Sequence, residues 1–162
     1  MFWLAIAAIF VIFCFAIVIF VGAPYLPTLS PQVKAALELV DIKRGQTLLE
    51  LGCGDGKVVL AAAQKGYKVI GYELNPLLVL VAWIRTWKYR KNVQIIWGDY
   101  WNKPWPDAHA IFVFLLPKYM DKLNNKINIY HHKPIKLVSF AFEIPNRKPD
   151  KQDAGVFLYK YR

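Results

Sequence analysis

The chain carries no charged residue before Lys34 and only two cysteines, Cys14 and Cys53. It is also poor in acids, with 11 Asp and Glu against 21 Lys and Arg, a net charge of +10. Each shortage excludes something. Two cysteines, one in an apolar run and one in a glycine turn, make no disulfide framework, which suits a cytoplasmic domain. The adjacent His131 and His132 have no Cys or acid at ligand spacing, so no metal is expected. No Ser/His/Asp or Cys/His arrangement suggests a nucleophile. The positive excess lies outside the apolar segment, where it can face anionic lipid, an acidic partner, nucleic acid or solvent alone.

The missing charge at the start has a counterpart. Residues Phe2 to Val21 are almost wholly apolar, about the length that spans a bilayer core. A buried core helix would usually show a polar face somewhere. A signal peptide would need a basic start, a shorter apolar region and a small-residue cleavage site. The expectation is therefore an uncleaved transmembrane anchor over 1–22, a proline-rich connector over 23–32 and a domain over 33–162. Lys34, Lys43 and Arg44 follow the anchor, which places the domain on the cytoplasmic side of a cell membrane as a single-pass protein. In the connector, Ser30-Pro31 suggests an N-cap followed by proline at the first helical position.

From Gln46 onward strands alternate with helices. "TLLELG" predicts a buried strand, "KVVLAAAQKG" a helix, and "YKVIGYE" a second strand. A helix opens at Asn75-Pro76 and runs to about Lys91. "VQIIWGD" and "AIFVFLL" predict strands three and four, and Met120, Leu123 and Ile127 an amphipathic helix. "KLVSFAFEI" and "GVFLYKY" complete the set. Such alternation implies an α/β fold with a mostly parallel sheet covered on both faces. Ligands bind such sheets beyond the C-terminal strand ends, where the glycine turn of "LLELGCGDGK" lies.

Absences choose what that turn can hold. A phosphate-binding P-loop needs a hydroxyl after Gly-Lys, but Gly56-Lys57 precedes Val58. A dinucleotide fingerprint needs G-x-G-x-x-G, and here Gly52, Gly54 and Gly56 bring the third glycine one place early. The turn still lets backbone approach a ligand and aims helix N–H groups at an anion. In S-adenosylmethionine that anion is the methionine carboxylate. Glu50, Glu73 and Asp99 end or nearly end the first three strands. Glu73 has the separation at which an acid reaches ribose hydroxyls, and Asp99 is positioned for an adenine amino group.

"LLELGCGDG", "GYELNP" and "GDYW" resemble the cofactor motifs of class I S-adenosylmethionine-dependent methyltransferases. With "PYLPT" (24–28) and "FEIP" (142–145), they are most similar to the membrane-anchored lysine methyltransferases of the mitochondrial adenine nucleotide translocase and ATP synthase c-subunit. The resemblance implies a Rossmann-like doubly wound sheet, mostly parallel with an antiparallel last strand, preceded by one transmembrane helix. It implies S-adenosyl-L-methionine as cofactor, with Glu50, Gly52, Cys53, Gly54, Asp55 and Gly56 around its methionine part. Glu73 would then serve the ribose and Asp99 the adenine, with Asn75-Pro76 shaping the next helix. Pro24, Tyr25 and Pro27 would form a lid. Cys53 stands where the family more often has Ser. One late strand of the usual seven is not evident in the sequence.

Methyl transfer depends on placing a nucleophile within about 3–3.5 Å of the reacting carbon. A lysine must first lose its proton, from a pKa near 10.4, and an apolar aromatic pocket helps it do so. Candidate walls are Tyr25, Tyr100, Trp101, Phe114 and Pro117, although Phe114 and Trp101 equally suit core packing. No residue is assigned as general base. Strand four runs into "FLLP" without the acid or Asn followed by two prolines that amino-directed DNA base methyltransferases carry. The stretch 83–106 interleaves bases with aromatics, which could stack nucleic acid but equally suits a lipid interface. With an anchor already expected, the lipid reading is favoured over nucleic acid. Three functions follow: a membrane-anchored methyltransferase for lysine in membrane-associated proteins, one for a small or lipid-like molecule, or a non-catalytic cofactor-binding membrane adaptor.

Overall fold

The structure, a computed structural model, describes residues 2–4, 6, 9, 26, 28–130 and 133–162. The expected anchor over 1–22 lies almost wholly outside these residues. Of it, Phe2, Trp3, Leu4, Ile6 and Ile9 are helical. Among the described residues no helix is long and apolar enough to cross a membrane. Pro24, Tyr25, Pro27, His131 and His132 also lie outside them.

The first described helix of the domain, α1, spans Ser30–Val40 and is followed by β1, Thr47–Leu51. Next come α2 (Lys57–Gln64), β2 (Lys68–Glu73), α3 (Pro76–Thr86), β3 (Val93–Trp97) and β4 (Ala110–Val113). α4 (Met120–Tyr130), β5 (Ile135–Phe140), β6 (Lys151–Asp153) and β7 (Val156–Tyr161) complete the chain. The strands form one sheet in the order β3-β2-β1-β4-β5-β7-β6. β1 to β5 run parallel, and β7 is antiparallel to both β5 and β6. The order reverses between β1 and β4, so the C-terminal end of β1 faces the crevice where ligands of such sheets bind.

Two apolar layers cover the sheet. On one face Val33 and Leu37 of α1, Val58 and Ala62 of α2 and Ala82 of α3 are buried in one cluster. On the other, Met120, Leu123 and Ile127 of α4 are fully buried over Leu49, Ile111 and Leu137. Their spacing of three and four puts them on one helical face. Each such side chain contributes roughly 1.5–3 kcal/mol of burial.

Three expectations need correction. The sheet has seven strands, not one fewer: β6 is only three residues long and exposed throughout, so no apolar period marks it. It joins β7 through Ala154 (φ 48°) and Gly155 (φ 75°), a two-residue turn with both φ positive, the hairpin turn that matches strand twist. Ser30 is not an N-cap: Leu29 holds that position without a side-chain hydrogen bond, and Ser30 is already helical. α3 ends at Thr86, and Trp87–Tyr89 continue as a 3-10 turn.

Lys136 of β5 holds α1 in place. Its Nζ donates to the carbonyls of Val40 (2.9 Å) and Asp41 (2.7 Å), satisfying groups that a helix end otherwise leaves open.

Candidate active site

β1 is buried on both faces, yet its fourth residue is an acid. Glu50 is 3 % exposed. Its register partners are Gly71 on β2 and Phe112 on β4. A Cβ at Gly71 would meet Cys53 Sγ at 2.9 Å, so glycine there leaves room for the turn. The Glu50 Oε2 atom is buried without a hydrogen-bond partner. Burial pushes the Glu50 carboxyl well above the usual carboxylate range, and the charges of Asp55 and Glu73 push it the same way. A buried acid with an orphaned oxygen is costly unless something cationic or donating meets it.

The turn after β1 is held by Glu73. Its Oε2 accepts from Gly54 N–H at 2.8 Å, and its Oε1 accepts from Leu74 and Asn75 N–H, each at 2.8 Å. Burial raises the Glu73 carboxyl, while these three N–H groups oppose that rise. Gly52, Gly54 and Gly56 all have positive φ (84°, 53° and 79°). They differ in their surroundings. A Cβ on Gly52 would meet nothing within 4 Å, whereas one on Gly56 would lie 2.9 Å from Ala82 Cα. Gly52 therefore keeps backbone open to the site, and Gly56 lets α2 approach α3.

A cavity of about 230 Å³ lies over these strand ends. Glu50, Gly52, Cys53, Gly54, Asp55 and Glu73 line one part, with Asp99 beside them. Asp99 accepts from Trp101 N–H (2.8 Å) and Asn102 Nδ2 (2.7 Å), which folds its own turn. Asp55 pairs with Arg85 of α3. The Cys53 thiol is buried, and burial followed by the Glu50 and Glu73 charges raises it well above its ordinary value. It is held as an unreactive thiol.

Tyr100, Trp101, Phe114, Tyr119 and Phe142 line the apolar part. Trp101 lies 4.9 Å from the Tyr100 ring and 6.1 Å from Tyr119. Lys126 of α4 fixes this aromatic loop from behind. Its Nζ donates to the carbonyls of Tyr100 (2.9 Å) and Trp101 (2.7 Å) and lies 4.7 Å from the Trp105 ring centre. Phe142 is set by Ser139, whose hydroxyl donates to its carbonyl at 2.7 Å. Leu26 and buried Thr28 of the connector also line the cavity.

The sequence-predicted residues thus divide. Glu50, Gly52 to Asp55, Glu73, Asp99, Tyr100 and Trp101 meet at one cavity. Gly56 and Asn75 are not on its wall. Asn75 is fully buried and caps α3, its Oδ1 accepting from Leu77 N–H at 2.9 Å. Pro117 is exposed in a 3-10 turn and does not line the cavity, and Tyr25 lies outside the described residues. Phe114 does line it, packed 4.6 Å from Phe140. Sequence reasoning gives Tyr119 no role and notes Phe142 only within the FEIP segment, although both follow strand ends, where the topology brings loops together. The basic, aromatic stretch 83–106 is not one surface. Trp83, Trp87 and Trp97 are exposed, while Tyr100, Trp101 and Trp105 are partly buried against the layer formed by α4. Among the described residues no group of three His, Cys, Asp or Glu could hold a metal ion.

The sheet order, the glycine turn and the acids at the tips of neighbouring strands define a class I methyltransferase. Residues 50–151 match the family model of the ANTKMT methyltransferase domain, and the chain belongs to that family. It is 30 % identical over 129 residues to the ATP synthase c-subunit lysine N-methyltransferase of Xenopus laevis, covering 78 % of this chain and 57 % of that protein. It is 33 % identical to the adenine nucleotide translocase lysine N-methyltransferase of Mus musculus, covering 78 % and 56 %. The chain thus spans little more than half the length of these curated relatives. Among solved structures, an RNA methyltransferase from Salinibacter ruber in complex with S-adenosyl-L-homocysteine superposes with a TM-score of 0.76 at 28 % identity, covering 84 % of this chain and 92 % of that one.

Proposed function

We propose that this chain is an S-adenosylmethionine-dependent protein-lysine methyltransferase held at a membrane by residues 1–22. The observation that carries the reading is the division of one cavity into an acid-lined part and an aromatic part. The acid-lined part fits the cofactor. The orphaned Glu50 Oε2 calls for a cationic donor such as an amino group. Gly52 leaves its backbone face open. Glu73 and Asp99 oxygens keep lone pairs beyond their internal hydrogen bonds, able to accept from hydroxyl and amino groups.

When bound, the cofactor supplies a methyl group on a sulfonium centre. The chain's own part is binding, orientation and exclusion of water. Tyr100, Trp101, Tyr119 and Phe142 give a wall that disfavours a charged ammonium, so a lysine entering beside them is shifted toward the neutral amine. No side chain is assigned to remove the proton, and placement carries the rate.

The family relatives support protein over small-molecule substrates, since they are named as lysine methyltransferases of an ATP synthase c-subunit and an adenine nucleotide translocase. The test is incubation of the detergent-solubilised full chain and radiolabelled cofactor with native membranes. Label in protein bands, removed by Glu50→Gln, is the expected result. Label in the lipid extract would favour a lipid-like substrate, and label in nucleic acid would overturn the reading.

A further inference from the structure

α3 is apolar on both sides. Leu78, Ala82 and Thr86 are buried against the domain. Leu80, Trp83 and Ile84, with Trp87 in the 3-10 turn that continues the helix, are 47 % to 62 % exposed. Their spacing of three, four and seven makes a continuous outward stripe. A helix on the surface of a soluble domain normally turns polar residues outward, and a contiguous apolar patch marks an interaction site.

The surroundings say what covers it. Between Glu73 and Asp99 the chain holds no acid, but it has Arg85, Lys88, Arg90 and Lys91. Arg85 is paired with Asp55. Lys88, Arg90 and Lys91 are exposed at the C-terminal end of the stripe. The Arg90 guanidinium lies 5.0 Å from the Trp87 ring centre, and Trp87 meets Trp83 edge-on at 4.5 Å. Exposed tryptophans beside exposed basic side chains are the composition of a bilayer interface, with rings at headgroup depth and cations among phosphates. At its other end α3 reaches the site: Leu78 and the preceding Leu74 line the cavity with Leu26 of the connector. Leu78, on the buried side of α3, therefore shares the cavity wall with Leu26 of the connector.

We propose that the outward stripe of α3 lies in the headgroup region of an anionic membrane, a second contact distinct from the N-terminal apolar segment. It rests on the membrane reading above in taking a bilayer as the occupant. Docked this way, the helix holds the cavity mouth at the membrane surface, where an accessible lysine of a membrane protein is met at high effective concentration.

The experiment uses the full chain in vesicles of phosphatidylcholine with and without phosphatidylglycerol, in a Cys14→Ala background. A nitroxide is attached at Ile84→Cys and, as a reference on the opposite sheet face, at Asn125→Cys, which is exposed on α4. Oxygen and a polar nickel chelate then report depth. The expected result is a severalfold higher oxygen-to-nickel ratio at position 84 than at 125, larger with phosphatidylglycerol. Equal, water-like ratios at both positions in protein that co-floats with vesicles would overturn the docking and leave the anchor intact. Failure to co-float would overturn the membrane reading itself. A position-84 label shielded from both reagents without vesicles would show a protein partner instead, and would also overturn the docking.

Discussion

Glu73 at the end of β2 grips Gly54 in the turn after β1: its carboxylate accepts the Gly54 N–H at 2.8 Å. One side chain thus sets the shape of the glycine turn and, through Leu74 and Asn75 N–H, the start of α3. Glu73→Ala should leave three N–H groups without that acceptor. Removing hydrogen bonds to a charged group costs about 1.5–3 kcal/mol each at most. The expected outcome is a lower melting temperature and weaker S-adenosylhomocysteine binding together. Calorimetry finding unchanged affinity and stability would refute the grip.

Glu50 makes a pH-dependent prediction. Its folded-state carboxyl is raised above the usual value near 4.5 by burial and by Asp55 and Glu73. The folded protein therefore holds a proton that the unfolded chain has released. Between the unfolded and folded values, stability falls as pH rises. Glu50→Gln removes the effect, so the ligand-free variant should gain stability over wild type as pH climbs above the ordinary carboxylate value. The same variant should bind S-adenosylhomocysteine more weakly. Thermal melts across pH that show parallel curves for the two proteins would count against it.

Gly52 and Gly56 should respond differently to alanine. At Gly56 the new Cβ would lie 2.9 Å from Ala82 Cα, and φ is 79°. Strain and overpacking together cost about 2–5 kcal/mol, so Gly56→Ala should destabilise the fold in urea. Gly52 shares the positive φ without the collision. Gly52→Ala should cost about 1–2 kcal/mol of stability but lose ligand affinity disproportionately. Equal stability losses in the two variants would contradict the separate roles.

Lys126→Met should loosen the aromatic wall. It takes the 2.7 Å donor from the Trp101 carbonyl and one of two donors from the Tyr100 carbonyl, which keeps the Trp105 indole N–H at 2.9 Å. A loss of about 1–3 kcal/mol is expected. Methylation rate should fall more than cofactor affinity, because Glu50 and Glu73 sit on the sheet and only Asp99 on the loop. Isothermal titration beside an initial-rate assay separates the two, and a loss confined to affinity would argue for the opposite assignment.

Much of this arrangement is legible in the residues. Strands buried on both faces are continuous apolar runs, so β1, β2 and β4 stand out, and glycines with an acid on either side locate the cavity. Two kinds of feature are hidden. β6 has no apolar residue to give a period, and only its pairing with β7 makes it a strand. The roles of Asn75, Gly56 and Pro117 depend on which way a residue faces, which spacing does not encode. Asn75 turns inward to cap α3, Gly56 faces Ala82, and Pro117 is exposed and off the cavity that Tyr119 lines. The aromatic stretch misleads for the same reason, since Trp83 and Trp101 are alike in sequence, yet the first is exposed and the second half-buried.

The β6–β7 hairpin also bears on how the protein behaves among its own copies. An open sheet edge is a template for a strand from another chain. Here that edge is three residues long, fully exposed, and offers Lys151, Gln152 and Asp153. A neighbouring strand would gain few hydrogen bonds there and meet two opposite charges. The strand with no apolar signature thus shields the β7 side of the sheet against edge-to-edge aggregation.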